Sequence, residues 1–205
     1  MFVIGITGGT GAGKTTALDA VRALGGAVID CDAVYHRLLE TCGDMLAELE
    51  QAFPGVVAEG VLDRKALGRR VFQDEAQLQK LNGITHRYVD KEVQRLLRAA
   101  AEEGLSMAAI DAIALIESGL GERCHITAAV TAPEDVRIQR LMAREGISEE
   151  YARLRIRAQK DDAWFRAHCG LTLENSGSKE DFARLCENRF SELLRRHQAG
   201  AKGGR

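Results

Sequence analysis

Phe2-Val3-Ile4-Gly5-Ile6-Thr7-Gly8-Gly9-Thr10-Gly11-Ala12-Gly13-Lys14-Thr15-Thr16 is the stretch from which the fold is read. Phe2 to Ile6 is a short apolar run bounded by glycine, the pattern of a strand buried in a parallel sheet. From Thr15 to Leu24 the apolar residues Ala17, Leu18, Ala20, Val21 and Leu24 recur at helical spacing, and Gly25-Gly26 closes the helix. Between strand and helix, Gly8 to Thr15 satisfies G-x-x-x-x-G-K-[ST] in full. Such a loop wraps an anion with converging backbone N–H groups, so Cβ atoms are absent where the chain bends round it. The helix it opens favours negative charge at its N-terminus. In that arrangement Lys14 reaches the β- and γ-phosphates of a nucleoside triphosphate and the Thr15 hydroxyl ligates Mg²⁺.

Outward from this loop, Ala27–Ile29 reads as a second short strand, so the chain begins as an α/β sheet. From about 32 to 104 the pattern is helical, with Asp63 as a cap before Arg64–Phe72 and Thr85 as a cap for a helix running to about Glu103. Met107–Ile113 is a third strand ending near Asp111, and Ile126–Thr131 a fourth, followed by Pro133 at a helix start. Helices are expected over Glu134–Arg144 and Ser148–Lys160, joined at Gly146. A last strand is expected at Leu171–Leu173, then a helix capped by Ser178 and running to about Arg195. Residues 199–205 read as a frayed tail. The implied fold is α/β: a P-loop NTPase three-layer fold with a parallel sheet, an inserted helical substrate subdomain and a helical lid. The expected core is about 1–31, 105–132 and 168–196, the helical subdomain about 32–104 and the lid about 134–162.

Composition narrows the function. The chain has 205 residues, 45% hydrophobic and 28% charged, which is ordinary globular usage and excludes collagen, coiled-coil and disordered classes. A net charge of −2 argues against a nucleic-acid partner. The five cysteines include no Cys-x-x-Cys pair, so reduced thiols are expected rather than a disulfide framework or zinc site. No apolar run is long enough to cross a membrane, and the N-terminus lacks the features of a signal peptide. The expectation is a cytoplasmic protein, a monomer or weak homo-oligomer, acting on a small molecule.

Charged residues then supply the chemistry. Asp30 and Asp32 follow the second strand, where open α/β sheets bind ligands beyond the carboxyl ends of their strands. If extended geometry continues, the two share a face. One could accept a proton from a substrate hydroxyl, and Asp32 could equally cap the helix that follows. Asp111 ends an apolar strand in the position of a carboxylate that supports Mg²⁺. Residues 137–160 hold seven cations against three anions. Arg137, Arg140 and Arg144 lie at i, i+3, i+7, and Arg153, Arg157 and Lys160 at i, i+4, i+7, each set on one helix face. Two such faces hinged near Gly146 suggest a lid that neutralises a triphosphate and excludes water. The other reading is a solvated charged face.

At this point the chain resembles the dephospho-coenzyme A kinase family over about residues 3–190. The carrying segments are Gly5–Thr16, Val28-Ile29-Asp30-Cys31-Asp32, Gly60-Val61-Leu62-Asp63-Arg64, Leu81–His86, Ile116-Glu117-Ser118-Gly119, Gln139-Arg140-Leu141 with Arg144, Gln159, and Glu174-Asn175-Ser176-Gly177. The resemblance implies transfer of the γ-phosphoryl of ATP, with Mg²⁺, to the ribose 3′-hydroxyl of dephospho-CoA, giving CoA and ADP. It implies Asp32 as base, with Lys14 and Arg140 as the other catalytic groups. Gly9, Thr10, Gly11, Ala12, Gly13, Lys14, Thr15, Thr16, Arg144 and Asn175 would bind ATP. Asp32, Arg64, His86 and Gln159 would bind the acceptor, and Thr15 the metal.

Three positions depart from the family's usual pattern: Arg87 where Pro often follows His, Ala112-Ile113-Ala114-Leu115 before the Ile116-Glu117 step, and Cys169-Gly170 before the last strand. Two other functions compete: a kinase for a different small hydroxyl or a nucleoside monophosphate, and a nucleotide-binding regulator without turnover.

Overall fold

A computed structural model describes residues 1–203. In chain order the elements are β1 (Phe2–Gly8), α1 (Lys14–Ala23), β2 (Ala27–Asp30), α2 (Cys31–Thr41), α3 (Gly43–Ala52), β3 (Val57–Ala58), β4 (Val61–Leu62), α4 (Arg64–Val71), α5 (Glu75–Glu102) and β5 (Met107–Asp111). A 3₁₀ turn at Leu120–Arg123 precedes β6 (Ile126–Thr131), α6 (Glu134–Glu145), α7 (Glu149–Arg157), α8 (Asp162–His168), β7 (Leu171–Glu174) and α9 (Lys179–Gly203). The chain divides into two compact units, one built from Met1–Ile29 with the chain from Ala100 onward, the other from Asp30–Ala99.

In the first unit the sheet runs β2-β5-β1-β6-β7, and β1 pairs in parallel with both β5 and β6. The P-loop α/β fold expected from the opening residues is present. Phe2, Ile4 and Ile6 alternate onto the face covered by α1 and α9, where they meet Leu18, Val21, Phe182 and Phe190. Val3 and Gly5, between them, are buried as well, so β1 reads as a continuous apolar run rather than an alternating one. Each fully buried Ile contributes about 1.5–3 kcal/mol, which fixes the strand that launches the loop.

The second unit has its own core of Leu39, Met45, Leu46, Leu49, Phe53, Val56, Leu62, Leu67, Val71 and Ile84. Carboxylates hold its helix ends. Asp30 accepts from Ala33 N at 3.0 Å, and Asp63 from Lys65 N and Ala66 N at 3.0 and 2.9 Å. Asp74 accepts from Ala76 N at 2.9 Å and Gln77 N at 3.2 Å. Glu50 accepts from Gly55 N and Val57 N at 2.5 and 2.7 Å, tying α3 to the β3–β4 hairpin.

Several local expectations change. Thr85 is no cap: α5 begins at Glu75, and the Thr85 hydroxyl, inside the helix, donates back to Leu81 O at 3.0 Å. The cap that starts α2 is Asp30 rather than Asp32. Extended geometry stops at Asp30, so Asp30 and Asp32 do not share a strand face. α7 ends at Arg157, short of Lys160, and α8 and the β3–β4 hairpin are additions to the expected elements. Ser178 does cap α9, accepting from Asp181 N at 3.0 Å, but that helix continues to Gly203 because no breaker interrupts it at Arg195. Of the expected frayed tail, residues 204 and 205 lie outside the described residues.

Candidate active site

The loop between β1 and α1 is built around its glycines. Gly13 has φ of +108° and forms the N-cap of α1, with no side chain capping that helix end. A Cβ on Gly13 would strike the Asn175 amide, and one on Gly8 the Val130 carbonyl. The helix therefore presents its first N–H groups to an anion. Lys14 opens α1, and its Nζ lies 3.5 Å from Asp111 Oδ1 at the end of β5. Asp111 comes there because β5 pairs in register with β1, setting Asp111 beside Ile6. Thr15 is exposed on the next position of the helix.

A cleft of about 420 Å³ opens over this loop. Its walls are Gly8 to Thr15 without the buried Ala12, together with Ile113, Arg140, Arg144, Arg155 and Gln159. Four cations thus surround one cavity in the unit that carries the loop. Arg140 donates to Gly11 O and Ala12 O at 3.3 and 3.2 Å and to Asn175 Oδ1 at 3.1 Å. These are long hydrogen bonds, the kind that a better acceptor displaces. Arg144 is exposed and ion-paired with Glu145, which Arg155 also engages. Asn175 is buried, its amide donating to Ala12 O at 2.8 Å. It fastens the loop to the end of β7.

The expected lid needs redrawing. α6 and α7 do meet at Gly146, whose φ is +66°, and they share a small core of Ile138, Leu141, Ala152 and Ile156. The seven cations do not form two free faces. Arg153 is held by Glu149 and Glu134, and Lys160 lies beyond the end of α7. Arg137 is 4% exposed, an internal residue rather than a lid cation. Its Nε donates to Thr10 O at 2.9 Å, its Nη2 reaches Gln159 Oε1 at 3.4 Å, and its Nη1 lies 3.8 Å from Asp162 Oδ1. Burial draws its pKa below the ordinary guanidinium value, against the pull of Asp162 and Glu134. Gln159 Oε1 also accepts from Thr10 N at 2.7 Å. By its spacing from Arg140 and Arg144, Arg137 is expected among the lid cations. Leu141, four residues on and fully buried, is the signal that this helix face turns inward.

In the second unit, Asp32 is exposed in the first turn of α2, Arg64 is exposed at the start of α4 next to its cap Asp63, and His86 is half-buried midway along α5. Burial holds the His86 imidazole below its ordinary pKa. Tyr35, on α2, is held above the usual phenol value by burial, with the Arg64 charge acting against it. Arg87, where the resemblance anticipates proline, keeps its backbone N–H and leaves α5 unbroken, and its guanidinium pairs with Glu48 of α3. Among the described residues no helix is long and apolar enough to cross a membrane. Among the described residues the cysteines form no disulfide, and burial pushes the Cys124 and Cys186 thiols up to about 12.

Comparison with known proteins agrees with this geometry. The family model described as dephospho-CoA kinase (CoaE) matches residues 2–181. A dephospho-CoA kinase of Thermus thermophilus is 38% identical over 205 residues, covering 100% of this chain and 96% of its own length. The crystal structure of TT1252 from Thermus thermophilus has a TM-score of 0.73 at 37% identity, over 94% of this chain and 97% of that one. A shikimate kinase from Bacteroides thetaiotaomicron, at 21% identity and a TM-score of 0.55, covers 95% of this chain and 98% of its own and shares the fold. With the match spanning the loop, the helical insert and the arginines of α6 and α7, the chain belongs to the dephospho-CoA kinase family.

Proposed function

We propose that this chain transfers the γ-phosphoryl group of ATP to the ribose 3′-hydroxyl of dephospho-CoA, giving CoA and ADP, the final step of coenzyme A synthesis. The observation that carries this reading is the cleft in which Lys14, Arg140, Arg144 and Arg155 line the same cavity as the loop amides. Phosphoryl transfer needs little covalent help from a protein. It needs the donor held and the charge on its transferring oxygens offset.

Lys14 and the loop amides bind the phosphates. Arg140 exchanges its long bonds to Gly11 O and Ala12 O for phosphate oxygens, and Arg144 adds a weaker, more hydrated charge. Thr15 and Asp111 are suited to Mg²⁺: both offer hard oxygen donors, and Asp111 is already charge-compensated by Lys14. When bound, the ion neutralises charge on the β- and γ-phosphates. The unit Asp30–Ala99 serves as the acceptor unit, with Arg64 and His86 as its contacts. Asp32 orients the 3′-hydroxyl and takes its proton. In support, Asp30 supplies the cap of α2, which leaves the Asp32 carboxylate without that duty.

The test is release of ADP with dephospho-CoA, with nucleoside monophosphates, and with no acceptor. Turnover with dephospho-CoA is expected. Turnover with a monophosphate alone would reassign the acceptor, and ATP binding without any turnover would make the chain a regulator.

A further inference from the structure

The contacts of Arg137 go beyond a lid cation's role. We propose that Arg137 is a positioning residue for the nucleotide site: with Gln159 it grips both backbone polar atoms of Thr10 and so sets the shape of the phosphate loop. The inference rests on the nucleotide-binding reading above. Arg137 Nε holds Thr10 O at 2.9 Å, and Gln159 Oε1 holds Thr10 N at 2.7 Å. The same guanidinium reaches Gln159 Oε1 at 3.4 Å, so one planar fork links the loop carbonyl to the group that binds the loop amide. Asp162, at 3.8 Å, balances the charge. At 4% exposure the guanidinium has little water to replace these partners.

The loop's own sequence carries the imprint of this arginine. Gly9 stands at a position that the phosphate-loop pattern leaves open to any residue, and it has no positive φ to demand glycine. A Cβ there would collide with the Arg137 guanidinium. A Cβ on Gly11 would also lie 2.9 Å from the Arg137 carbonyl. Gly9 is therefore small to admit Arg137, and the two residues act as one device. Because the Thr10 amide is directed to Gln159, Gln159 acts on the ATP side of the reaction rather than as an acceptor contact.

A double-mutant cycle tests this, read as the Kd for ATP measured calorimetrically without acceptor. Arg137→Ala is expected to weaken ATP about tenfold, the loss of one charge-assisted hydrogen bond, with the KM for dephospho-CoA held within about twofold. Gly9→Ala is expected to weaken ATP by a similar factor in the wild-type background and by less than about twofold when Arg137 is already alanine. Arg137→Lys preserves the charge facing Asp162 but not the planar fork, and serves if the alanine variant does not fold. It is expected to weaken ATP binding by about threefold or more. Additive effects of Gly9→Ala and Arg137→Ala, unchanged ATP affinity in the Arg137 variants, or a matching rise in the dephospho-CoA KM would each overturn the proposal. A wild-type chain that binds no ATP would instead overturn the nucleotide reading beneath it.

Discussion

The two units of the chain use their polar side chains differently. In the unit that carries the phosphate loop, side chains from distant segments converge on loop backbone: Arg137 on Thr10, Arg140 on Gly11 and Ala12, and Asn175 on Ala12. In the helical unit the carboxylates that accept from backbone N–H groups serve helix ends and a hairpin, through Asp30, Asp63, Asp74 and Glu50. The first pattern fixes the backbone of the phosphate loop from outside it. The second stabilises a platform and leaves Asp32 and Arg64 exposed on its helices. Binding of ATP and handling of the acceptor should therefore be separable by mutation. Asp32→Asn puts the strongest strain on that separation. It is expected to lower kcat by about 10²–10⁴, the scale of a lost general base, while the Kd for ATP changes less than about twofold. Steady-state rates beside calorimetry decide it, and an undiminished kcat would remove Asp32 as the base.

A core substitution probes the same division through packing. Leu49 is fully buried in the helical unit's core. Leu49→Ala is expected to destabilise the protein by about 2–5 kcal/mol, seen as a lowered midpoint in denaturant. Below that transition the dephospho-CoA KM should rise more than the ATP Kd. An equal rise in both would mean that the units respond as one. Within the loop unit, Arg140 and Arg144 sharpen the contrast between engaged and solvated cations. Arg140→Ala is expected to cost about a hundredfold in kcat/KM, as loss of a group that offsets transition-state charge. Arg144→Ala, at an exposed residue already paired with Glu145, should cost less than about tenfold. Reversed magnitudes would move the principal charge-offsetting role to Arg144.

The same contrast explains what could be read in the chain itself. The strand–loop–helix opening is legible because three local signals follow one another without a gap between Phe2 and Leu24: an apolar run, glycines at fixed spacing, and a helical period from Ala17 onward. The strands at Met107–Asp111 and Ile126–Thr131 are legible for a related reason, being apolar runs too short for helices. What escapes is whatever depends on a partner far along the chain. Arg137 and Arg140 are alike in sequence, and only the fold, which brings Thr10 against a residue 127 positions away, makes one a buried clamp and the other a cleft wall. Thr85 has the look of a cap because Val89, Val93, Leu96 and Leu97 follow it at helical spacing, yet the packing of Ile84 and Val89 carries the helix straight through. Asp30 and Asp32 differ by where the strand ends, a boundary that two carboxylates two positions apart do not reveal.

The smallest expected effect concerns proton uptake, and each unit offers one histidine for it. His86, on α5 in the helical unit, is held below its ordinary value of 6.5 by burial. His197, on α9, is lowered first by burial and then by the charges of His125 and the N-terminal amine. His197 also packs edge-on against the His125 ring at 4.5 Å and beside Phe2 at 5.4 Å, so a proton there meets other rings rather than a carboxylate. In both cases the folded pKa lies below the unfolded one. As the pH falls the unfolded chain takes up the proton first, so stability declines through the region below about 6.5 and levels off once the folded value is passed. Above that region neither group affects stability. Thermal midpoints at pH 7.5 and 5.5 check this. His86→Gln and His197→Gln are each expected to lessen the drop between the two pH values, and to do so additively, since the residues belong to different units. A drop unchanged by His86→Gln would mean that the imidazole is solvated in the folded chain. Non-additivity would mean that the two units share one unfolding transition more tightly than their separate cores imply.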